Sequence, residues 1–227
     1  MCGIAGIISA DNNHVITDMT TVMIHRGPDE DGYYHDDVIS LGQRLLSIID
    51  LDGGRQPISN EDDNLQLICN GEIYNSPELR QKLIQAGHSF KTTTDVEVIL
   101  HLYEEHGSDC VKFLQGMFAF AIWDKTNRVL FLARDHLGQK PLFFCQNNGD
   151  FAFASEVKAL LTAGLIDREI DLNALWHYLS LRFIPDQYSL FKGIHKLPAA
   201  SHLTFKDRKA TVIKYWELNF FHKLTGD

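Results

Sequence analysis

Cys2 follows the initiator Met1 and precedes the apolar run Gly3-Ile4-Ala5-Gly6-Ile7-Ile8. Removal of Met1 leaves a first residue that carries a thiol and a free α-amine on one carbon framework. An α-amine has a pKa of roughly 7.7–8 and a thiol one of about 8.5, so the amine can accept the thiol proton near neutral pH. Nucleophile and base then need no second residue. Asn70-Gly71 closes another apolar run, Leu65–Cys69. A side-chain amide and a backbone N–H placed there can point at one oxygen, and such donors are worth roughly 3–4 kcal/mol in other enzymes. Glu72 and Asp95 lie near the ends of the same predicted strand and of a following helix, where paired carboxylates can hold a substrate ammonium. Each feature also has an ordinary role: a buried Cys in a strand, an Asn-Gly turn, an Asp helix cap. Only the combination points to nucleophilic catalysis.

The elements that must position these residues follow from hydrophobic period and turn chemistry. Residues 3–9 read as a buried strand and 15–24 as a helix, followed by the loop from His25 to Gly32. Tyr33–His35 and Val38–Leu45 read as paired strands, and Asp50–Asp63 as a long polar connection containing Gly53-Gly54 and Pro57. Leu65–Cys69 is a strand running into Asn70. Ser76 as cap, Pro77 at the first helical position and Gly87 as stop frame one helix. A second helix starts near Thr94 or Asp95, with Val96, Ile99, Leu100 and Tyr103 on its apolar face. A β-meander follows: Met117–Trp123, Val129–Ala133, then Leu142–Cys145 turning through Asn147–Asp150 into Phe151–Ser155. Two short helices come next, lined by Val157, Leu160 and Leu161 and by Leu172, Leu175, Trp176 and Leu179. His202–Phe205 and Ala210–Tyr215 form a closing hairpin. Strands and helices without regular β-α-β alternation predict an α+β layered fold.

Composition narrows the function classes. The chain has 227 residues, 44% hydrophobic and 22% charged, enough for a substantial core in one large domain or two small ones. A net charge of −9 argues against a general nucleic-acid or anionic-membrane surface. No window approaches the ~18 apolar residues of a membrane span, and the start lacks the basic region of a signal peptide. The four cysteines, Cys2, Cys69, Cys110 and Cys145, form no C-x-x-C pair and suit a reducing cytoplasm. The 11 histidines show no metal-ligand spacing, so no metal site is expected. Gly3-x-x-Gly6 lacks the Lys-Ser/Thr of a phosphate loop.

Taken as a set, several segments resemble class II glutamine amidotransferases. These are Cys2-Gly3-Ile4-Ala5-Gly6, His25-Arg26-Gly27-Pro28-Asp29, Leu46-Ser47-Ile48-Ile49-Asp50-Leu51, Asn70-Gly71-Glu72-Ile73-Tyr74-Asn75 and Thr94-Asp95-Val96-Glu97-Val98-Ile99. Gly116–Phe120, Arg134–Leu142, Ala154–Leu160 and Tyr215-Trp216 extend the likeness, and its order is that of the glutaminase domain of glutamine-hydrolysing asparagine synthetases. The resemblance implies an N-terminal nucleophile hydrolase fold, a four-layer αββα sandwich of two antiparallel sheets between helical layers. It implies that Cys2 attacks the glutamine side-chain amide, that Asn70 and Gly71 stabilise the oxyanion, and that Glu72 and Asp95 hold the α-ammonium. Residues 2–218 are the expected domain, and 219–227 the start of a linker to a synthetase domain. ATP and Mg are implied only for that second domain, whose phosphate loop this sequence lacks; no cofactor is expected here. L-Glutamine and the synthetase domain are the expected partners, nucleic acid and membrane are not, and homodimerisation stays open.

The departures from the family pattern carry their own expectations. The family places an Arg for the substrate carboxylate directly before Leu-Ser-Ile, where this chain has Leu45. Arg44, one residue earlier, is the remaining candidate, although strand neighbours point to opposite faces and only a bulge would bring it inward. Gln43 replaces a common His, His136 an Arg, and Ala199-Ala200 a Pro-Gly pair. Leu45 therefore opens two competing readings: an amidotransferase fold kept as an interaction module, and an amidohydrolase for another amide.

Overall fold

A computed structural model describes residues 2–9, 14–46, 55–185 and 188–220. In chain order the elements are β1 (Gly3–Ile8), α1 (Val15–Thr21), β2 (Glu30–His35), β3 (Ser40–Leu45), β4 (Ile58–Ser59), β5 (Leu65–Ile73), α2 (Ser76–Ala86), α3 (Val98–His106), β6 (Gly116–Asp124), β7 (Val129–Arg134), β8 (Phe143–Asn147), β9 (Asp150–Ala154), α4 (Val157–Ala163), α5 (Leu172–Leu181), β10 (Ile194–Lys196), β11 (Ser201–Lys206) and β12 (Lys209–Lys214). A 3-10 turn over Gly107–Lys112 joins α3 to β6.

The strands form two six-stranded sheets, ordered β10-β8-β9-β1-β3-β2 and β12-β11-β7-β6-β5-β4, with every ladder antiparallel. Strand alternation sorts the apolar residues into three cores. Ala119, Ala121 and Trp123 of β6, with Leu130 and Leu132 of β7, face the first sheet and pack with Phe151 and Phe153 of β9. The intervening Phe118, Phe120 and Ile122 face α2 and α3. On the other side, Ala5, Ile7, Ala152 and Ala154 pack under α1 and α4. Continuously apolar strands such as Met117–Trp123 read as they do because both faces are covered. The four expected layers, helix, sheet, sheet and helix, are all present. Among the described residues, no helix is long and apolar enough to cross a membrane.

Several element boundaries differ from the sequence expectation for local reasons. The helix expected over 15–24 stops at Thr21, and β2 begins at Glu30, inside the expected loop. The helix expected from Thr94 or Asp95 starts at Val98, because Asp95 and Glu97 both bind backbone outside the helix. Asn75, not Ser76, sits at the cap of α2, and its side chain instead ties Phe113 O and Gln115 N. The connection Asp50–Asp63 contains β4, while its residues up to 54 lie outside the described residues. The apolar face of α5 is not core. Leu172, Trp176 and Leu179 are 70–72% exposed, and only Ala174 is buried.

Ala200 stands where the family pattern has Gly, and its backbone is left-handed at φ +53. It is held there by Ala200 N–H donating to Asp135 O and by Tyr215 N–H donating to Ala200 O. A Cβ in that region costs about 1 kcal/mol. Ala200→Gly is therefore expected to raise Tm by roughly 2–4 °C, read by thermal denaturation, with Ala199→Gly as the control that gives no rise.

Candidate active site

β1 of one sheet and β5 of the other bring the sequence candidates together at one end of the sandwich. The cleft there, about 130 Å3, is lined by Cys2, Asn70, Gly71, Glu72 and Asp95, with Leu45, Leu46 and Lys140 on its walls. Cys2 is placed by the start of β1. Arg26 Nε donates to Cys2 O at 3.0 Å, and the same guanidinium is held by Glu156 at 3.0 Å. Ser155 Oγ accepts from Ile4 N–H, which fixes the next turn of the pleat. The Cys2 thiol lies 3.9 Å from Leu46 O.

The candidate oxyanion donors follow from strand parity. Cys69, Gly71 and Ile73 of β5 send their N–H groups to the same edge, because alternate residues of a strand repeat orientation. β4 covers that edge only as far as Leu67. Cys69 N–H is taken by Gln56 Oε1 at 2.6 Å, and Ile73 N–H by Asp95 Oδ2 at 2.6 Å. Gly71 N–H lies between these two capped donors and opens on the cleft. The Asn70 side chain is 1% exposed, and its Nδ2 has no hydrogen-bond partner among the described residues. A buried amide donor without a partner costs about 1–3 kcal/mol, so it marks a place kept for an acceptor. Position 71 must be Gly, since a Cβ would sit 2.5 Å from Met117 O and 2.7 Å from Phe118 Cα.

The carboxylates occupy the rim. Glu72 is on β5 itself rather than on a loop. Asp95 is carried by the segment before α3, which Glu97 folds by accepting Lys91 N–H, Thr92 N–H and Thr92 Oγ1–H. Burial pushes the Asp95 carboxyl above its usual range and the neighbouring Glu72 charge adds to this, against the Ile73 N–H bond. Cys69 also lines the cleft, but burial holds its thiol protonated, well above the ordinary range. Cys2 is thus the thiol placed for reaction.

The structure does not bring Arg44 to the cleft. Its guanidinium pairs with Asp31 at 3.3 Å on the far side of β3, as alternation requires without a bulge. Leu45 takes the inward position. Gln43 is buried and donates to Cys69 O at 3.2 Å, bracing the two sheets.

Lys140 is the residue that sequence reasoning passed over, although it lay inside a quoted segment. It is 9% exposed and on the cleft wall, yet its ammonium makes no hydrogen bond or ion pair among the described residues. Asp135 organises its loop by accepting Leu137, Gln139 and Lys140 N–H groups, and Arg134 Nε donates to Lys140 O at 2.7 Å. The signal available in sequence was a lone cation between Gly138-Gln139 and the apolar Pro141-Leu142-Phe143.

Residues 1–216 match the glutamine amidotransferase domain family. Asparagine synthetase [glutamine-hydrolyzing] 1 of Bacillus subtilis (strain 168) is 42% identical over 97% of this chain, which spans 36% of that protein. Asparagine synthetase [glutamine-hydrolyzing] 2 of the same organism is 39% identical over 96% of the chain and 31% of the relative. The chain thus spans about a third of the length of these relatives. Among solved structures, a glutamine phosphoribosylpyrophosphate amidotransferase from B. subtilis shares the fold with a TM-score of 0.69. That likeness holds at 18% identity and covers 95% of this chain and 49% of the other. Cys2 at the head of β1, the uncapped Asn70 and Gly71 donors and these matches agree: the chain belongs to the class II glutamine amidotransferase domain family, with the N-terminal nucleophile fold and in its asparagine synthetase-like branch.

Proposed function

We propose that this domain hydrolyses L-glutamine to glutamate and ammonia through a Cys2 thioester. The observation that supports it is the convergence of the Cys2 thiol with the partnerless Asn70 Nδ2 and the edge-facing Gly71 N–H in one cleft. After Met1 removal the α-amine takes the thiol proton and Sγ attacks the amide carbon. The carbonyl oxygen gains charge between Asn70 and Gly71. The proton passes from the ammonium to the leaving nitrogen, ammonia departs and the γ-glutamyl thioester remains. The amine next deprotonates a water, which attacks the thioester carbon. Glutamate leaves and the thiol is restored.

Glu72 and Asp95 bind the substrate ammonium in this reading. Lys140 binds the α-carboxylate in place of the missing Arg at position 45, which favours glutamine over a differently substituted amide. Ammonia passes to an ATP-dependent synthetase domain, and asparagine is the product suggested by the relatives' names. The exposed Leu172, Trp176 and Leu179 face of α5 fits a surface covered by such a domain. Four free thiols, one of them the reactive nucleophile, fit the cytoplasm. The test is glutamate release from glutamine by the Met1-processed protein, with Cys2→Ala protein as the comparison. Equal release by both would overturn the reading.

The raised pKa of Asp95 gives the reaction a pH signature. Ammonium binding needs the charged carboxylate, so kcat/KM should fall on the acid side through a pKa above the ~3.9 of an ordinary Asp. The folded state holds this proton more tightly than the unfolded chain. The charge therefore opposes folding above the unfolded pKa, increasingly as pH rises through the folded one. Asp95→Asn is expected to lower kcat/KM about 10- to 100-fold, the cost of one charged hydrogen bond, and to move that acid limb. Its Tm at pH 8 should equal or exceed that of the parent. Unchanged kinetics with a lowered Tm would make Asp95 purely structural.

A further inference from the structure

We infer that Glu61, His88, His101 and Glu104 form a site for one divalent transition-metal ion, of the zinc type, remote from the thiol chemistry. One ligand atom from each lies within 4.8 Å of all the others, the one such convergence among the described residues. Sequence spacing could not reveal it. Glu61 lies between β4 and β5, His88 follows α2, and His101 and Glu104 stand three residues apart on α3.

Several imidazole–carboxylate separations lie near those a tetrahedral metal would impose, with Glu61 offering one oxygen to each imidazole. Zinc bonds of about 2.0–2.2 Å to nitrogen and oxygen place tetrahedral ligand atoms roughly 3.3–3.6 Å apart. His88 Nδ1 is 3.6 Å from Glu61 Oε1 and 3.5 Å from Glu104 Oε2, and His101 Nδ1 is 3.6 Å from Glu61 Oε2. The remaining imidazole–carboxylate separation, His101 Nδ1 to Glu104 Oε2, is a hydrogen bond of 2.8 Å that a metal would open. Both imidazoles present Nδ1 inward and Nε2 outward. His88 Nε2 meets Glu105 at 2.9 Å, and His101 Nε2 faces the buried Glu97 at 3.8 Å. For His88 the hydrogen-bonded carboxylate behind the ring is the arrangement that fixes the tautomer of a ligating His, whereas Glu97 is too far from His101 to hydrogen-bond it. Glu104 keeps its other oxygen on Asn60 Nδ2, and Glu61 Oε1 also accepts Ser89 N–H, so both carboxylates are oriented. Phe90 packs edge-on against the fully buried His101 and closes one side.

Two imidazoles and two carboxylates supply all four ligands of a tetrahedral ion, which describes a structural site, with His101 buried at its inner side and the two carboxylates at the surface. It would clamp three chain segments, including the stretch that leads from His88 to Asp95. The site stands independently of the glutaminase reading.

The test is metal content and thermal stability of chelator-stripped, desalted protein given one equivalent of Zn2+. About one zinc per chain should survive a second desalting. Tm should rise roughly 5–10 °C when free zinc is about 100 times its Kd. Glu105→Gln, on an exposed side chain, should weaken zinc binding about 10- to 100-fold in chelator competition. His88→Gln should abolish retention while matching the parent's Tm in chelator. Loss of zinc by the parent on desalting would overturn the site. So would equal retention by parent and Glu105→Gln protein with no change in affinity or Tm.

Discussion

Cys2→Ala protein should release glutamate from glutamine at least ~10⁴-fold more slowly than the parent, close to the uncatalysed rate, because nothing else in the cleft can form the acyl bond. Cys69 cannot substitute, since burial keeps its thiol protonated and Gln56 and Gln43 pin its backbone on both sides. The loss should fall on kcat. Asn70, Gly71, Glu72 and Asp95 are all untouched by the change, so glutamine should still bind, which isothermal titration can read. Cys2→Ser should also be slower than the parent, because a hydroxyl is a weaker nucleophile than a thiolate and gives up its proton less readily to the α-amine. An intact mass that retains Met1 would explain a silent parent, so mass is measured on every sample. A parent of correct mass that releases glutamate no faster than Cys2→Ala would defeat the thioester mechanism.

Lys140→Met should raise the KM for glutamine by about 100-fold or more with a much smaller change in kcat. A substrate carboxylate buried without its cation forfeits roughly 3 kcal/mol. Met keeps the length and apolar stem, so the wall of the cleft is preserved. The mechanistic test is rescue. Leu45 lines the same cleft, and Leu45→Arg in the Lys140→Met background should recover at least about tenfold in kcat/KM by supplying a bidentate partner. Arg44 cannot provide this from its place beside Asp31. A Lys140→Met enzyme with parental KM would show that the carboxylate is held elsewhere.

Much of the fold was legible because it depends on local pattern. The short continuous apolar runs Met117–Trp123 and Val129–Ala133, the Asn148-Gly149 turn and the Gly87 stop are short-range signals, and the ladders β6–β7 and β8–β9 follow them. The starts of α2 and α3 differ from the sequence expectation. Ser76 and Asp95 read as helix starts in sequence, but Asn75 occupies the α2 cap position and Asp95 spends its side chain on the backbone of another segment. The apolar stripe of α5 predicted burial, whereas tertiary placement leaves it at the surface.

The sequence by itself pointed to the class and named the candidates for the proposed chemistry: Cys2 as a nucleophile that could be its own base, the Asn70-Gly71 donors, the carboxylates Glu72 and Asp95, and Leu45 as the break in the pattern. These are properties of residue type and chain order, and they survive without coordinates. Tertiary structure alone decided what lies opposite what. It sent Arg44 to Asp31 and brought Lys140 to the cleft from 95 positions beyond Leu45. It capped the N–H groups on either side of Gly71 while leaving that one open. It also gathered Glu61, His88, His101 and Glu104 from three segments. The physical reason is one of range: period and turn chemistry act over a few residues, whereas a free donor, an unpaired cation or a ligand cluster is defined by neighbours that only packing supplies.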